Sequence, residues 1–358
     1  MKIIVITDSF KGTLSSLEAG TIIMNTIKQN HPEHDVLVIP VADGGEGTVE
    51  AVLQGRKGEK IVTEVSGPYF ERMKAEYAYF PDDNSAVVEM ACCAGLPLVL
   101  DRMNPRLTTT YGVGEMVRDA INRGIDKICV GLGGSCTTDG GCGFASALGI
   151  RFYDDQGNSF VPVGETLKNI CHIVPAEIKA DISAMCDVTN PLYGPFGASY
   201  VFARQKGRND EDIRFLDEGL RHLSQVVRND LDIDADRIPG AGAAGGLGYG
   251  MIAFTNARLD RGINRILDIV QYDDIIKDAD VIITGEGRLD WQSFQGKVID
   301  GVMKRSPDKR VIMVVGSRDE EIRKDYEVYS TLDNGRHFPN SHEEAVENLR
   351  AAASEIIF

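Results

Sequence analysis

A glycine-rich segment, CVGLGGSCTTDGGCG, occupies residues 129–143 and combines six glycines with hydroxyl, thiol and carboxylate side chains. It follows a short apolar run typical of a buried strand and precedes a helical pattern. Backbone N–H groups at such a turn bind anions, and glycine is needed because a Cβ would hold the backbone away from phosphate oxygens. Ser135, Thr137 and Thr138 add hydroxyl donors. The segment fits a phosphate site, and equally a tight strand-to-helix turn capped by its own polar residues.

Acid-bearing turns recur along the chain, most of them with glycine and after a strand pattern. They are DSFKGT (8–13), ADGGEGT (42–48), CDVTNPLYGPFGAS (186–199) and TGEGRLD (284–290). Because ligands gather where the carboxyl ends of parallel strands meet such loops, we expect these acids to converge. So many carboxylates would repel one another unless cations or a magnesium–phosphate complex lay among them, although any single acid is more simply a helix cap or turn former. The acids in these turns and in the glycine-rich segment are Asp8, Asp43, Asp139, Asp187, Glu286 and Asp290.

Few basic residues accompany these acids. Lys11 lies in the first turn, Arg288 in the turn at 284–290, and Lys297 at the start of a predicted helix. A lone lysine is usually a solvated surface group. Beside glycine turns at strand ends, however, these three residues are candidates for neutralising phosphate and carboxylate oxygens.

Several other chemistries are disfavoured by the motifs. The chain contains no G-x-x-x-x-G-K-[ST], no H-R-D or D-F-G set and no G-x-S-x-G. The segment GAGAAG at 240–245 matches G-x-G-x-x-G, but DIDADRIP precedes it instead of an apolar strand. A close-packing helix entry is therefore favoured there over a dinucleotide site.

The seven cysteines indicate reduced thiols rather than disulfides, because their number is odd and no export signal precedes them. Cys129, Cys136 and Cys142 are separated by seven and six residues, and no C-x-x-C pair occurs. Zinc sites usually contain such a close pair. We therefore expect small buried thiols rather than a metal site.

The two ends of the chain predict alternating strands and helices. KIIVITD is followed by a helical pattern after Ser15, with Glu18 three residues on, which is the capping-box spacing. Near the other end ADVIITGEG, KVIDGVMKRS and KRVIMVVGS alternate strand, helix and strand, and HEEAVENLRAAASEII predicts a last helix. Continuous apolar strands separated by helices indicate a parallel sheet covered on both faces.

The middle of the chain differs, because RMKAEYAYFPDDNSAVVEMACC predicts two strands joined by a Pro-Asp-Asp-Asn turn. The fold class is therefore α/β with two domains: a discontinuous Rossmann-like parallel-sheet domain and a second, mixed α/β domain inserted into it. We expect the first to contain residues 1–62 and 258–358 and the second residues 63–257, with the glycine-rich phosphate loop in the inserted domain and the active site in the cleft between the two.

Composition narrows the classes of partner. The chain has 358 residues, 43% of them apolar, and a formal net charge of −16, which disfavours nucleic acid and anionic membranes as partners. The first residues are too short an apolar run for a secretory signal, and ACCAGLPLVL is about half the length of a membrane span. We expect a cytoplasmic enzyme that binds small molecules.

With these motifs assembled, the chain resembles the bacterial-type glycerate kinases of the first class. The resemblance covers residues 1–317 and includes DSFKGTLSS, PVADGGEGT, GLGGSCTTDGG, CDVTNPLYGPFGAS, GAGAAGGLGYG and TGEGRLDWQSFQGK in collinear order. It implies ATP-dependent phosphorylation of D-glycerate with Mg²⁺, in a two-domain α/β fold. Cys136, Thr138, Cys142 and Tyr193 depart from the family pattern, which leaves the phosphate role intact but could tune nucleotide affinity.

The resemblance also implies roles for particular residues. Asp187 and Lys297 would be catalytic, with Asp187 acting as base or metal anchor, and Asp187 and Glu286 would hold magnesium. The substrate-binding residues would be Ser9, Lys11, Asp43, Arg288 and Asp290, and the residues for ATP phosphates Gly133, Gly134, Ser135, Thr137 and Asp139.

Some alternatives remain open on the sequence. The same loops fit a non-catalytic nucleotide- or anion-binding regulatory protein, or an NAD-linked oxidoreductase of a small hydroxy acid. The residues do not decide between the 2- and 3-hydroxyl of glycerate, since both products need the same charges, and the resemblance favours 2-phosphoglycerate. A homodimer is a further expectation.

Overall fold

The computed structural model describes residues 1–10, 12–41, 44–207, 209–294, 297–319, 321–322 and 326–358. The packing of the chain divides it into two compact units. We call them the terminal unit, made of Met1–Ala42, Glu50–Lys57 and Ile263–Phe358, and the central unit, made of Asp43–Val49 and Gly58–Gly262.

The elements follow one another along the whole chain. In the described residues the strands are β1 (Lys2–Thr7), β2 (Asp35–Val38), β3 (Glu59–Ser66), β4 (Arg72–Phe80), β5 (Ser85–Glu89), β6 (Lys127–Gly131), β7 (Arg151–Tyr153), β8 (Ser159–Phe160), β9 (His172–Val174), β10 (Asp181–Met185), β11 (Arg258–Asp260), β12 (Val281–Gly285), β13 (Arg288–Leu289), β14 (Arg310–Val315), β15 (Ser317–Arg318) and β16 (Glu327–Ser330).

The described α-helices are α1 (Ser16–Asn30), α2 (Thr48–Gly55), α3 (Ala91–Ala94), α4 (Tyr111–Asn122), α5 (Cys142–Ala147), α6 (Ala198–Phe202), α7 (Asp210–Leu231), α8 (Ala243–Thr255), α9 (Gly262–Ile269), α10 (Tyr272–Ile275), α11 (Val298–Arg305) and α12 (His342–Ser354). Short 3₁₀ turns cover Leu96–Val99, Gly164–Asn169, Arg204–Lys206, Trp291–Phe294 and Asp333–Gly335. Within the part of the chain that the structure describes, no helix is both long and apolar enough to cross a membrane.

The terminal unit is built on a five-stranded sheet in the order β16-β14-β12-β1-β2. All of its neighbouring strands are parallel. Alternate residues of β14 pack on opposite faces, since Ile312 and Val314 share a core with α1 and α12, while Met313 and Val315 pack with Ile299 of α11. Helices therefore cover both faces, which confirms the prediction from the continuous apolar strands.

The capping box predicted for α1 is present. The Ser15 side chain accepts a hydrogen bond from the Glu18 N–H at 3.2 Å, and the Glu18 carboxylate accepts one from the Ser15 N–H at 2.8 Å. Both bonds satisfy backbone donors that the first turn leaves unpaired.

The central unit contains a six-stranded sheet in the order β11-β10-β6-β5-β4-β3. β11, β10, β6 and β5 are parallel neighbours, whereas β4 pairs antiparallel with both β5 and β3. The Pro-Asp-Asp-Asn turn joins β4 to β5, with Phe80 opposite Ser85, so the antiparallel element predicted there is confirmed. A small antiparallel sheet, β8-β7-β9, lies in the same unit.

Strand pairing determines where one unit ends and the other begins. The sequence places the joints near residues 63 and 258. In the structure β3 pairs along its whole length with β4, and β11 pairs with β10, so both strands belong to the central unit. The segment Asp43–Val49 also belongs to the central unit.

Candidate functional site

Two glycine turns of the central unit contact each other through their backbones. The Gly133 N–H donates to the Gly44 carbonyl at 3.0 Å. A Cβ added at Gly131 would lie 2.3 Å from the Gly44 oxygen, and one added at Gly133 would lie 2.5 Å from the Gly45 Cα. Larger residues would force the turns apart, so glycine is required here for close backbone approach.

The loop that follows β6 has an accessible tip and a buried base. Gly133 and Ser135 are partly exposed and Gly134 is exposed, whereas residues 136–140 are buried. The tip is held in place because the Leu96 N–H donates to the Gly134 carbonyl at 2.8 Å and Gly95 forms a β-bridge with Ser135. Gly134 has a φ of +72°, which favours glycine. We call residues 133–135 the loop tip.

The base of the loop packs against the start of α8. A Cβ at Gly245 would lie 1.9 Å from the Thr137 oxygen, and one at Gly141 would lie 2.9 Å from the Gly250 Cα. The Thr137 hydroxyl, which is fully buried, donates to the Ala244 carbonyl at 3.5 Å. Gly245, the last glycine of GAGAAG, therefore packs against this loop, as expected for a close-packing helix entry.

Asp139 lies at the centre of the loop base and is fully buried. Its carboxylate accepts hydrogen bonds from the backbone N–H groups of Thr110, Gly141 and Gly143 at 2.7, 3.1 and 3.3 Å, and from the Thr110 hydroxyl at 2.8 Å. Burial raises the pKa of Asp139, and these hydrogen bonds oppose the increase. The contacts indicate that Asp139 holds the loop to the start of α4.

Lys206 is a member of this site that the sequence reasoning missed. It lies in the turn after α6, is 1% exposed, and donates to the Ser135 hydroxyl at 3.0 Å and to the Thr137 carbonyl at 2.5 Å. Burial lowers the pKa of Lys206 to about 8. A lysine about seventy residues from the loop carries no local sign of this contact, and the general expectation that lysines are solvated points the other way.

Glu89, at the end of β5, was also missed. It is 6% exposed and accepts from the Gly47 and Val49 N–H groups, at 3.1 and 3.2 Å, at the start of α2. Burial raises the pKa of Glu89, and its backbone hydrogen bonds reduce this increase without cancelling it. An acid that ends a continuous apolar run, as in SAVVE, is the signal that could have found it.

Asp187 follows β10 and is exposed. Its Oδ1 accepts from the N–H of Gly262, the first residue of α9, at 2.7 Å. β10 ends at Met185, two residues before Asp187, so this turn follows a strand. A carboxylate at a helix start is stabilised there, and its exposure leaves it within reach of solutes.

In the terminal unit, an acidic residue directly follows each of the two neighbouring strands β1 and β12. Thr7 of β1 pairs with Gly285 of β12, and the Asp8 N–H donates to the Gly285 carbonyl at 2.8 Å, so Asp8 and Glu286 follow adjacent positions at one edge of the sheet. The Ser9 N–H donates to the Asp8 carboxylate at 2.6 Å. The predicted convergence of acids at the carboxyl ends of parallel strands therefore occurs for this pair.

Glu286 combines burial with an unused acceptor. Its side chain is 7% exposed, and Oε2 lies 3.5 Å from the Lys297 ammonium. Oε1 has no hydrogen-bond partner among the described residues. Burial raises the pKa of Glu286, opposed by hydrogen bonding to Ser293 and by the charge of Lys297, while the charge of Asp8 adds to the increase. Lys297 is the N-cap of α11, as its predicted position at a helix start required.

The remaining predicted residues are distributed around this edge. Arg288 in β13 is exposed and lies 3.3 Å from Asp319. Asp290 follows the end of β13, and its N–H donates to the Ser293 hydroxyl at 3.0 Å. Lys11 and Asp43 lie outside the described residues.

Other candidate metal ligands lie apart from these groups. In the described part of the chain, His31, Glu33 and His34 bring three ligand atoms within 4.8 Å of one another, just before β2. Because β2 starts opposite Lys2 of β1, this cluster lies at the sheet edge opposite Asp8 and Glu286. Cys129, Cys136 and Cys142 are buried, as expected for small core thiols.

These features define a class of protein. The chain has parallel strands with glycine turns at their ends, a loop tip that is partly exposed, and a buried acid, Glu286, paired with Lys297. This combination is typical of enzymes that handle phosphate groups.

Comparison with known proteins narrows the class. The model of the glycerate kinase family matches residues 3–358. A glycerate kinase of Bacillus subtilis is 38% identical over 369 residues, covering 99% of this chain and 97% of its own. A glycerate 2-kinase of Escherichia coli is 38% identical over 330 residues, covering 90% and 87%. A crystal structure from Salmonella typhimurium LT2, described as a proposed glycerate kinase 2, has a TM-score of 0.83 at 38% identity and covers 99% of this chain and 96% of its own.

The chain therefore belongs to the glycerate kinase family. It is an enzyme, and its class is that of the kinases.

Proposed function

We propose that this protein transfers the γ-phosphoryl group of ATP to D-glycerate with Mg²⁺, and that the 2-hydroxyl is the acceptor. The observation that carries the proposal is the loop tip. Gly134 is exposed and Gly133 and Ser135 are partly exposed, while the rest of the loop is buried and held by backbone packing. Phosphoryl transfer depends on positioning and charge neutralisation more than on covalent chemistry, and a rigid tip of this kind suits that task.

The residues of the loop divide into two roles in this proposal. Gly133, Gly134 and Ser135 face the nucleotide phosphates. Thr137 and Asp139 were also predicted to bind phosphate, but both are fully buried and their hydrogen bonds join parts of the loop to α4 and α8. We assign them the shaping of the loop rather than contact with ATP.

The terminal-unit residues would bind the acceptor. Arg288 and Lys297 supply positive charge for the glycerate carboxylate or the transferring group, and Ser9 and Asp290 offer partners to its hydroxyls. The roles of Lys11 and Asp43 stay predictions.

Asp187 would act as the general base. The acceptor hydroxyl oxygen forms a bond to the γ-phosphorus, the bond between that phosphorus and the β,γ-bridging oxygen breaks, and ADP leaves with the electron pair. The hydroxyl proton passes to the Asp187 carboxylate. Exposure of Asp187 and the anchoring of its Oδ1 by the Gly262 N–H support this role.

Magnesium fits the donor set of Glu286. Mg²⁺ binds oxygen ligands, commonly one or two carboxylates together with substrate phosphates, and Glu286 Oε1 is a buried carboxylate oxygen that lacks a hydrogen-bond partner in the described residues. When bound, the metal supplies charge neutralisation at phosphate oxygens. Asp187, the second predicted ligand, belongs to the other unit, so its part in metal binding stays a prediction.

The choice of hydroxyl is supported by a relative. The similar Escherichia coli protein is named glycerate 2-kinase. A 2-hydroxyl acceptor lies next to the glycerate carboxylate, which would bring the transferring group close to the cations that bind that carboxylate.

The experiment that tests the proposal is incubation with ATP, MgCl₂ and D-glycerate, followed by ³¹P NMR of the product. We expect ADP and 2-phosphoglycerate in equal amounts, and much less ADP with L-lactate, which lacks the second hydroxyl. Formation of 3-phosphoglycerate would overturn the choice of hydroxyl. Binding of ATP without ADP formation would favour a regulatory protein, and reduction of NAD with a hydroxy acid would favour an oxidoreductase.

A cytoplasmic location and a homodimer stay predictions. Light scattering coupled to size-exclusion chromatography would test the second.

A further inference from the structure

The ammonium of Lys206 is a buried positive charge without an acidic partner among the described residues. It is 1% exposed, and its contacts are the Ser135 hydroxyl and the Thr137 carbonyl. A lysine ammonium has three N–H donors, so two are used and the third has no protein partner in the described contacts. Asp139 acts on it only through space, without an ion pair.

Such a charge is costly to keep. Moving an ammonium from water into a protein interior is unfavourable unless an opposite charge or a full set of hydrogen bonds compensates for the lost hydration. Burial accordingly lowers the pKa of Lys206 to about 8. The fold thus holds a cation behind the loop tip without using it in a salt bridge, which indicates that its negative partner is not part of the described protein.

Its contacts lead directly to the loop tip. Because the Ser135 oxygen accepts from Lys206, the Ser135 hydroxyl hydrogen is turned away from the ammonium and is available to an acceptor outside. Ser135 is partly exposed and follows the exposed Gly134. The bond to Thr137 also fixes the loop on the other side of Ser135.

We infer that Lys206 is a positioning residue of the phosphate site: it orients the Ser135 hydroxyl and provides the buried positive charge that balances the phosphate oxygens of a nucleotide at the loop tip. This inference rests on the proposed function only in taking a nucleotide as the ligand. The inference gives a phosphate-binding role to Lys206, a residue that lies outside the glycine-rich motifs.

The test is direct binding, measured by isothermal titration with ATP and with adenosine in the absence of glycerate. We expect Lys206→Met to weaken ATP binding by about 10- to 100-fold, the range of a lost charge-assisted hydrogen bond, with little change for adenosine. The matched control is Lys127→Met, because Lys127 begins β6, the strand that leads into the loop, and is exposed. It should bind ATP as the parent does.

The pH profile separates charge from shape. ATP affinity of the parent should fall above about pH 8, as Lys206 loses its proton, whereas Lys206→Arg should retain affinity and remain flat because arginine stays charged. The titratable groups whose charges act on Lys206 are Cys136, whose pKa is raised to about 12 by burial, and Asp139, whose pKa burial also raises. Both are retained in every variant, so the comparison isolates Lys206.

The outcomes distinguish this inference from the proposed function. ATP binding that Lys206→Met leaves unchanged, or a parent profile that is flat through about pH 9, would overturn the inference even in an active kinase. Absence of ATP binding by the parent would overturn it as well. Lys206-dependent ATP binding without glycerate phosphorylation would retain the inference and reject only the substrate. If Lys206→Met does not fold, the parent profile and Lys206→Arg still decide.

Discussion

Replacing Asp139 by alanine should destabilise the central unit and disturb the loop tip together. The carboxylate is fully buried and receives three backbone N–H groups, from Thr110, Gly141 and Gly143. Alanine would leave these donors without a partner in a site whose glycines pack too closely for the backbone to rearrange. The loop base would then lose its connection to α4.

The magnitude follows from the number of donors. A buried donor left unpaired costs about 1–3 kcal/mol, so three would cost about 3–9 kcal/mol. Two effects reduce the loss, since water can enter the vacated space and the desolvation of a buried carboxylate is relieved. We expect a decrease of about 3–5 kcal/mol in the free energy of unfolding, a large part of the stability of an ordinary domain.

Asparagine at the same position distinguishes the two carboxylate oxygens. Oδ2 accepts from both Thr110 donors and from Gly143, whereas Oδ1 accepts from Gly141. The amide oxygen of Asn can take the Oδ2 position, which leaves one mismatched contact at Gly141. Asp139→Asn should therefore cost about 1–2 kcal/mol, less than alanine.

Urea unfolding monitored by circular dichroism, with ATP titrations of the folded variants, measures both effects. The matched control is Asp154→Ala, since Asp154 also accepts from two backbone N–H groups, of Gln156 and Asn158, but in an exposed turn where water can replace it. Its stability should change little. The hydrogen-bond reasoning is refuted if Asp139→Ala unfolds at the same urea concentration as the parent. It is also refuted if Asp139→Asn unfolds at no higher urea concentration than Asp139→Ala.

Four further predictions concern chemistry and charge. Asp187→Asn should melt like the parent and lower kcat by roughly two to four orders of magnitude; a variant that keeps more than about a tenth of kcat would remove Asp187 from the mechanism. Glu286→Gln should raise the Mg²⁺ concentration for half-maximal rate at least about tenfold, and an unchanged Mg²⁺ titration would exclude Glu286 as a ligand. Cys136→Ala and Cys142→Ala should each keep most of the activity, whereas stoichiometric zinc lost in either variant would reverse our interpretation of these thiols. Burial lowers the pKa of Lys206 from 10.5 to about 8, so between about pH 8 and pH 10.5 the unfolded chain binds more protons than the folded protein. The free energy of unfolding of the parent should therefore rise with pH across this window, relative to that of Lys206→Met. Parallel profiles of the two proteins in chemical denaturation would contradict this.

Local patterns predicted the elements well. The capping box at Ser15 and Glu18, the hairpin turn between β4 and β5, and the helix start at Lys297 each depend on residues close in sequence. Such signals act through the geometry of one turn and do not need the rest of the fold. The parallel sheet was predictable for a related reason, since strands buried on both faces are apolar throughout.

The candidate site was predictable only in part. Glycine turns at strand ends marked the loop tip and the acids Asp8 and Glu286, because parallel strands place their carboxyl ends at one edge. The burial of Asp139 and Thr137 could not be read from the same turns. The local sequence is the same whether the acid of a glycine turn faces a ligand or, like Asp139, accepts hydrogen bonds from protein donors.

The sequence alone determined the α/β class, the strand and helix order near both ends, and the kind of chemistry that the glycine turns could support. Only the tertiary structure decided which loop residues are accessible, that Gly245, Gly246 and Gly250 pack against the loop base, and that Lys206 lies behind Ser135. The reason is physical: turn geometry and periodicity depend on neighbours in the chain, whereas burial and the pairing of a charge depend on segments brought together by folding, here from about seventy to more than one hundred residues away.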